Sequence, residues 1–94
     1  MLFIFCEENT DPRVISLLNE VGVPGYTRVT DAFGFGTHGR REGSAIWPGL
    51  NSIIITCVPD DMVSTVREAI EKLEGERKGR LAIRLFACPT EQLF

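Results

Sequence analysis

The residues that could hold a ligand gather in two stretches of this sequence. The first is Gly34-Phe35-Gly36-Thr37-His38-Gly39-Arg40-Arg41, and the second is Arg77-Lys78-Gly79-Arg80, with Arg84 shortly after. Closely spaced glycines let backbone N–H groups come near an anion and form a concave donor site. Six of the ten Lys and Arg residues lie in these stretches, in a chain of formal net charge −3. Positive charge set apart in an acidic chain points to an anionic ligand. A mixed, solvated surface competes with that reading, because Glu42, Glu74 and Glu76 are interleaved with the cations. The spacing fits neither the nucleoside triphosphate loop nor the dinucleotide fingerprint. On spacing alone, a flexible hairpin accounts better for the glycines.

Other chemistry is sparse. His38 is the sole histidine, and Cys6, Cys57 and Cys88 form no CxxC pair. No metal site is expected within one chain, although one could be pooled from several copies. Cys6 and Cys57 read as core residues of adjacent central strands. A Cys–His nucleophile would need a third, orienting group, and nothing in the order of the chain places His38 near a cysteine. Asp60-Asp61 suits the positive end of a helix dipole. Residues 23–28 are similar to the phosphate loop of acylphosphatases, but they follow a helix rather than the first strand, so that enzyme is rejected. Trp47 reads as packing its loop down or as a contact residue. No catalytic residue is assigned, and the protein is read as not an enzyme.

Composition narrows the classes further. Ninety-four residues make one domain, 1–94, too small to enclose a large pocket in a single copy. Apolar residues at 44% and charged residues at 24% are ordinary for a folded chain. The acidic balance speaks against nucleic acid as a partner. No apolar run is long enough to span a membrane, and the opening apolar stretch lacks the basic start of a signal peptide. An odd number of cysteines fits a reducing cytoplasm.

The elements that must position the two stretches follow from the hydrophobic pattern. Residues 2–6 are a short apolar strand buried on both faces. Thr10 or Asp11 can cap a helix with Pro12 at its first position, and Val14, Leu17, Leu18 and Val21 share one helical face. Gly22 ends that helix. A less buried strand spans 26–33, followed by an irregular segment over 34–51. Residues 52–58 form a third strand, apolar on both faces. A second helix starts at Pro59-Asp60-Asp61 with Met62, Val66, Ala69, Ile70 and Leu73 as its stripe, and a polar hinge begins at Glu74. A fourth strand spans 80–88.

The order is βαββαβ, which predicts a ferredoxin-like α+β sandwich: a four-stranded antiparallel sheet with two helices on one face. Two helices cover only one face of such a sheet. Yet Phe3 and Phe5 on one strand, and Ala82, Phe86 and Cys88 on another, are apolar on the opposite side. That side calls for another copy of the chain, or for the long segment folded back over it.

Four pieces then resemble the PII family of small signalling proteins. They are Glu20-Val21-Gly22-Val23-Pro24-Gly25-Tyr26-Thr27, Gly34-Phe35-Gly36, Val58-Pro59-Asp60-Asp61-Met62-Val63, and Gly79-Arg80-Leu81-Ala82-Ile83. The resemblance implies a homotrimer that binds adenine nucleotides such as ATP or ADP between subunits. It also implies regulation of a partner protein, a membrane transporter or an enzyme. The ligand-binding set it implies is Thr27, Gly34, Gly36, Thr37 and His38 on one copy, with Arg77, Lys78, Gly79 and Arg80 on the next.

There are departures from the family pattern. Thr37-His38 stand where the family has Arg-Gln after the glycines. The segment from Thr37 to Leu50, which corresponds to the family's T-loop, is short and has no tyrosine. Arg80 takes the place of a phosphate-contacting lysine, and the basic C-terminal segment is missing. That loop is expected to be the most mobile part of the chain. Two other readings remain: a metal-binding, cation-tolerance relative with His38 and the cysteines as ligands, and a small-molecule module like the ACT domains.

Overall fold

The computed structural model describes residues 1–36, 39–41, 50–76 and 82–94. The elements are β1 (Leu2–Glu7), α1 (Asp11–Val21), β2 (Thr27–Ala32), β3 (Gly34–Gly36), β4 (Gly39–Arg41), β5 (Asn51–Thr56), α2 (Asp60–Glu76) and β6 (Arg84–Ala87). Four strands form one sheet in the order β2-β5-β1-β6, with every described pairing antiparallel. This is the ferredoxin-like α+β architecture that the element order predicts.

Register decides which side chains meet the helices. Ile4 faces Ile54 on β5 and Leu85 on β6, and Leu2 faces Thr56 and Ala87. Residues directly opposite in an antiparallel pair share a face. Leu2, Ile4, Cys6 and Ile54 therefore lie on one side, buried against Val14 and Leu18 of α1 and Val66 and Ile70 of α2. The helical stripes are those the sequence spacing gives. Gly22 closes α1 at φ 87°, a left-handed conformation that costs glycine nothing, and its N–H donates to the Leu18 carbonyl at 3.0 Å. The buried Thr56 hydroxyl donates to the Gly25 carbonyl and so fixes the turn before β2 to β5.

The other side of the sheet carries Phe3, Phe5, Val29, Ile53, Ile55 and Phe86, matched across the strands as Phe3 with Ile55 and Phe86, and Phe5 and Val29 with Ile53. No helix covers it. Phe5 is 38% exposed, Val29 44% and Phe86 55%. Phe5 and Phe86 meet edge to face, with ring centroids 5.8 Å apart. The apolar second face is as the sequence predicts.

Several boundaries differ from the expectation. The segment over 34–51 begins with an antiparallel pair, Gly34 opposite Arg41 and Gly36 opposite Gly39. Glu74, Gly75 and Glu76, read as the start of a polar hinge, belong to α2, because Leu73 and Glu74 still rest partly on the body and Gly75 has open space around it; the rest of that hinge lies outside the described residues. A glycine inside a helix costs only about 1 kcal/mol. The fourth strand is shorter than 80–88, since its pairing with β1 starts where Arg84 meets Phe5. Cys57 is exposed rather than core, because it follows Ile53 and Ile55 in phase and lies just past the end of β5.

The largest departure concerns Asp11. It does not cap α1, and Thr10 at the N-cap makes no side-chain cap either. Asp11 is fully buried, and its Oδ2 accepts a 2.6 Å hydrogen bond from Nε of Arg28. Arg28 sits opposite Ile54, which puts it on the helix side of the edge strand β2. The pair thus ties the first turn of α1 across β5 to the sheet edge.

Two outcomes are expected. Arg28→Ala leaves the Asp11 carboxylate buried without its counter-charge, so the thermal midpoint should fall by roughly 10–20 °C. A shift of under 3 °C, on the order of half a kcal/mol, would show that the carboxylate finds other solvation. Burial, with the nearby charges of Asp11 and Glu7, pushes the Cys6 thiol up to about 12. At pH 8 only about one Cys6 thiol in 10⁴ is then ionised. Iodoacetamide should alkylate the exposed Cys57 and Cys88 and spare Cys6 until the protein is unfolded, as read by peptide mass mapping.

Candidate functional site

The first candidate stretch and the entry into β6, which the second candidate stretch precedes in sequence, lie at the same end of the sheet. Glu7 closes β1 opposite Asn51, which opens β5, and Ala32 closes β2 opposite the same Asn51. Arg84 opens β6 opposite Phe5, near that end as well. The backbone of Gly34 and Gly36 therefore emerges beside the start of β5, and the segment after α2 enters the sheet at the start of β6. The α1 end of this region is tied down by Glu8, whose N–H donates to the Leu50 carbonyl at 2.7 Å.

Within one copy the described parts of the two stretches lie on opposite edges of the sheet. β2 and β6 are opposite edges, with β5 and β1 between them. Three strand spacings amount to about 14 Å. Gly34 and Gly36 extend from one edge, and Arg84 stands on the other. Arg84 is exposed on the apolar side, opposite Phe5, and its Nη1 donates to the Ile83 carbonyl at 3.0 Å. Thr27 is exposed too, but it opens β2 opposite Ile55, at the far end of that strand from the glycines. Five residue steps along β2 span about 17 Å. Thr37, His38, Arg77, Lys78, Gly79 and Arg80 lie outside the described residues, as does most of the loop over 37–50.

The approach to the glycines is shaped by a bulge. The register of β2 on β5 is regular through Val29 opposite Ile53, then shifts by one residue before Ala32 opposite Asn51. Asp31 takes up the extra residue at φ 59°. Such a bulge bends the strand and adds twist, and Asp tolerates the left-handed region better than most residues. Phe33 follows it, 75% exposed.

Sequence reasoning missed the Asp11–Arg28 pair. Its signal was an opposite charge pair placed on core-facing positions: Asp11 at the first turn of a helix, and Arg28 on the face of strand 2 that turns towards that helix. The Asp-Pro dipeptide reads first as a helix start, which hides it. The hydrogen bond and charge of Asp11 hold the Arg28 guanidinium protonated still more firmly than usual. Two buried oxygens of this region, Asp11 Oδ1 and Ser52 Oγ, have no hydrogen-bond partner among the described residues. Among the described residues, no group of three or more His, Cys, Asp or Glu side chains could hold a metal ion, and no helix is long and apolar enough to cross a membrane.

Comparison with known proteins places this arrangement. None of the curated proteins matches the sequence. Among solved structures, the fold is similar to CPII, a nitrogen regulatory PII-like protein from Thiomonas intermedia K12, solved bound to ADP, AMP and bicarbonate. That match has a TM-score of 0.71 at 26% identity over 90% of this chain and 80% of CPII. A second CPII structure, bound to ADP and bicarbonate, matches with a TM-score of 0.70 at 27% identity over 90% of this chain and 80% of that one. A PII-like signalling protein from Thermus thermophilus shares the fold with a TM-score of 0.62 at 24% identity, over 90% of this chain and 79% of that one. The sequence model of nitrogen regulatory protein P-II matches residues 1–93. On that match, which leaves out only the last residue, the chain belongs to the nitrogen regulatory protein P-II family.

Proposed function

We propose that this protein is a single-domain PII-like sensor. Copies assemble as a homotrimer through the uncovered sheet face, a small anionic ligand binds between them, and the ligand state is read by a partner protein. One observation carries the reading: Gly34 and Gly36 leave one edge of the sheet and the chain enters β6 on the opposite edge at the same end, beside an apolar face that no helix covers among the described residues. Copies set edge to edge around an axis bring the glycine edge of one against the β6 edge of the next. The separation of about 14 Å between the two edges in one chain is then removed by the neighbour.

Electrostatics and length both favour an adenine nucleotide. Gly34 and Gly36 permit close backbone approach to phosphate, and Arg77, Lys78, Arg80 and Arg84 of the neighbour supply charge. Thr27 at the other end of β2 is placed for the far end of an elongated ligand. Phosphates at Gly34, Gly36, Thr37 and His38, with the base towards Thr27, is the orientation this order gives. Gly79 lets the neighbour's basic segment turn close to the anion. CPII was solved with ADP, AMP and bicarbonate, which supports a nucleotide here and adds bicarbonate to the ligands worth titrating. No residue is given a catalytic role. The regulated partner would be an enzyme or a membrane transporter met on its cytoplasmic side, and nucleic acid has no place in the reading.

Burial supports the assembly. An apolar side chain fully removed from water contributes about 1.5–3 kcal/mol, and Phe5, Val29 and Phe86 together leave a large part of that unrealised in a lone chain. Sedimentation at micromolar concentration should show a trimer, and Phe5→Glu should dissociate or precipitate it, because an unpaired charge would be buried. A stable wild-type monomer overturns the assembly. Calorimetric titration with ATP, ADP, AMP, cyclic AMP and bicarbonate should find a ligand, and Arg80→Ala should weaken an anionic one by about 1.5–3 kcal/mol. If no nucleotide binds at millimolar concentration, the nucleotide reading fails. Divalent metals and amino acids in the same panel then test the cation-tolerance and ACT-like readings.

A further inference from the structure

We infer that Asp11 and Arg28 are positioning residues for the ligand cleft: their ion pair fixes the first half of β2, so that the bulge at Asp31 delivers Gly34 and Gly36 to a set place at the sheet edge. This rests on the proposed function only for where the ligand lies; the tie itself is a property of the single chain.

Three features make the tie necessary. β2 is an edge strand, paired with β5 alone. Its regular register covers just Thr27, Arg28 and Val29 before the shift. The ladder is locally disrupted at a bulge, so the hydrogen bonds beyond Val29 cannot by themselves transmit the register to the glycines. Arg28 is the middle residue of that short regular stretch, and its Nε reaches a fully buried carboxylate 2.6 Å away. The guanidinium side chain is 45% exposed, so one end of the pair is locked in the core and the other belongs to the surface strand.

Asp11 offers no competing arrangement. Its Oδ1 is buried without a hydrogen-bond partner, so Arg28 carries the whole of its described side-chain hydrogen bonding. A carboxylate in that state holds its one donor strongly, because the alternative is an uncompensated buried charge. Asp11 is itself fixed through the first turn of α1, where Thr10 N–H donates to the Glu7 carbonyl at 2.9 Å and Asp11 N–H to the Glu8 carbonyl at 3.3 Å. The same turn holds the root of β5 through Glu8 N–H and the Leu50 carbonyl. The first turn of α1 thus grips both strands between which residues 33–50 are strung.

The test compares the wild-type full chain with the double variant Asp11→Leu, Arg28→Leu, and with Arg28→Lys. Replacing both members of an ion pair whose carboxylate is buried by apolar residues removes the directional contact without leaving an unpaired buried charge. The double variant should keep its thermal midpoint within about 3 °C, well inside what losing a single partner would cause. Amide exchange over residues 29–36 should be at least roughly tenfold faster than in the wild type, with exchange in β1 unchanged. ADP should bind at least about tenfold more weakly, and Arg28→Lys, which keeps charge but not the planar fork, should fall between. Unchanged exchange over 29–36 in a folded double variant overturns the inference, and so does unchanged ADP affinity. If the double variant does not fold, Arg28→Lys decides by the same exchange measurement, and wild-type rates there overturn the inference. If the wild type itself binds no ADP, the nucleotide reading fails and the exchange measurement still decides whether the pair positions β2.

Discussion

Two helices can cover one face of a four-stranded sheet, and in this protein the strands are apolar on both. Much else depends on that imbalance. The helix-facing residues Leu2, Ile4, Cys6 and Ile54 close a core with Val14, Leu18, Val66 and Ile70. Across the pleat, Phe3, Phe5, Ile53, Ile55 and Phe86 have the same composition and no cover of their own. In an antiparallel sheet with one solvated face, that side would read as polar. Among the paired positions Arg84 and Thr27 interrupt it on the edge strands, and Glu7 opposite Asn51 interrupts it at one end of the two central strands. The polar positions thus ring an apolar middle, the layout of a surface that meets another protein at its centre and water at its rim.

Sheet topology then decides where a ligand can go. In the order β2-β5-β1-β6, the first half of the chain supplies one edge and the last strand supplies the other. The connection from β2 to β5 and the entry into β6 lie at the same end. A ligand that needs both cannot be held by one chain, but a ring of copies presents each edge to its neighbour. On the proposed reading, ligand binding and assembly are one problem, met by the same uncovered face.

An edge strand that must hold a ligand needs something stiffer than half a ladder. β2 is paired on one side only, and its ladder is broken at the Asp31 bulge. The Asp11–Arg28 pair supplies the missing restraint from below. Its position also explains why a charge is tolerated in a core of only ten buried apolar side chains among the described residues. Asp11 lies where α1 begins, close enough to the sheet edge for an arginine to reach it from the surface. A lone aspartate at that depth would be costly, whereas a paired one fixes a geometry that packing alone leaves loose.

The sequence alone determined the element order, the two helical stripes, the left-handed stop at Gly22 and the second apolar face, because each depends on spacing along a short stretch of chain. It also brought out the two basic, glycine-bearing stretches, since charge and glycine content are read directly. Tertiary structure decided the rest. Cys57 left the core because the strand ended before it, and the phase of a residue beyond a strand end depends on the partner strand. The reach of α2 through Gly75 and the late start of β6 were set by what α2 rests on and by where β1 still offers pairing. Asp11 and Arg28 are seventeen residues apart along the chain. Local patterns gave the aspartate a helix cap and the arginine a place on a solvated strand. Only folding brings the first turn of α1 to the edge strand β2, where a buried carboxylate meets a half-exposed guanidinium.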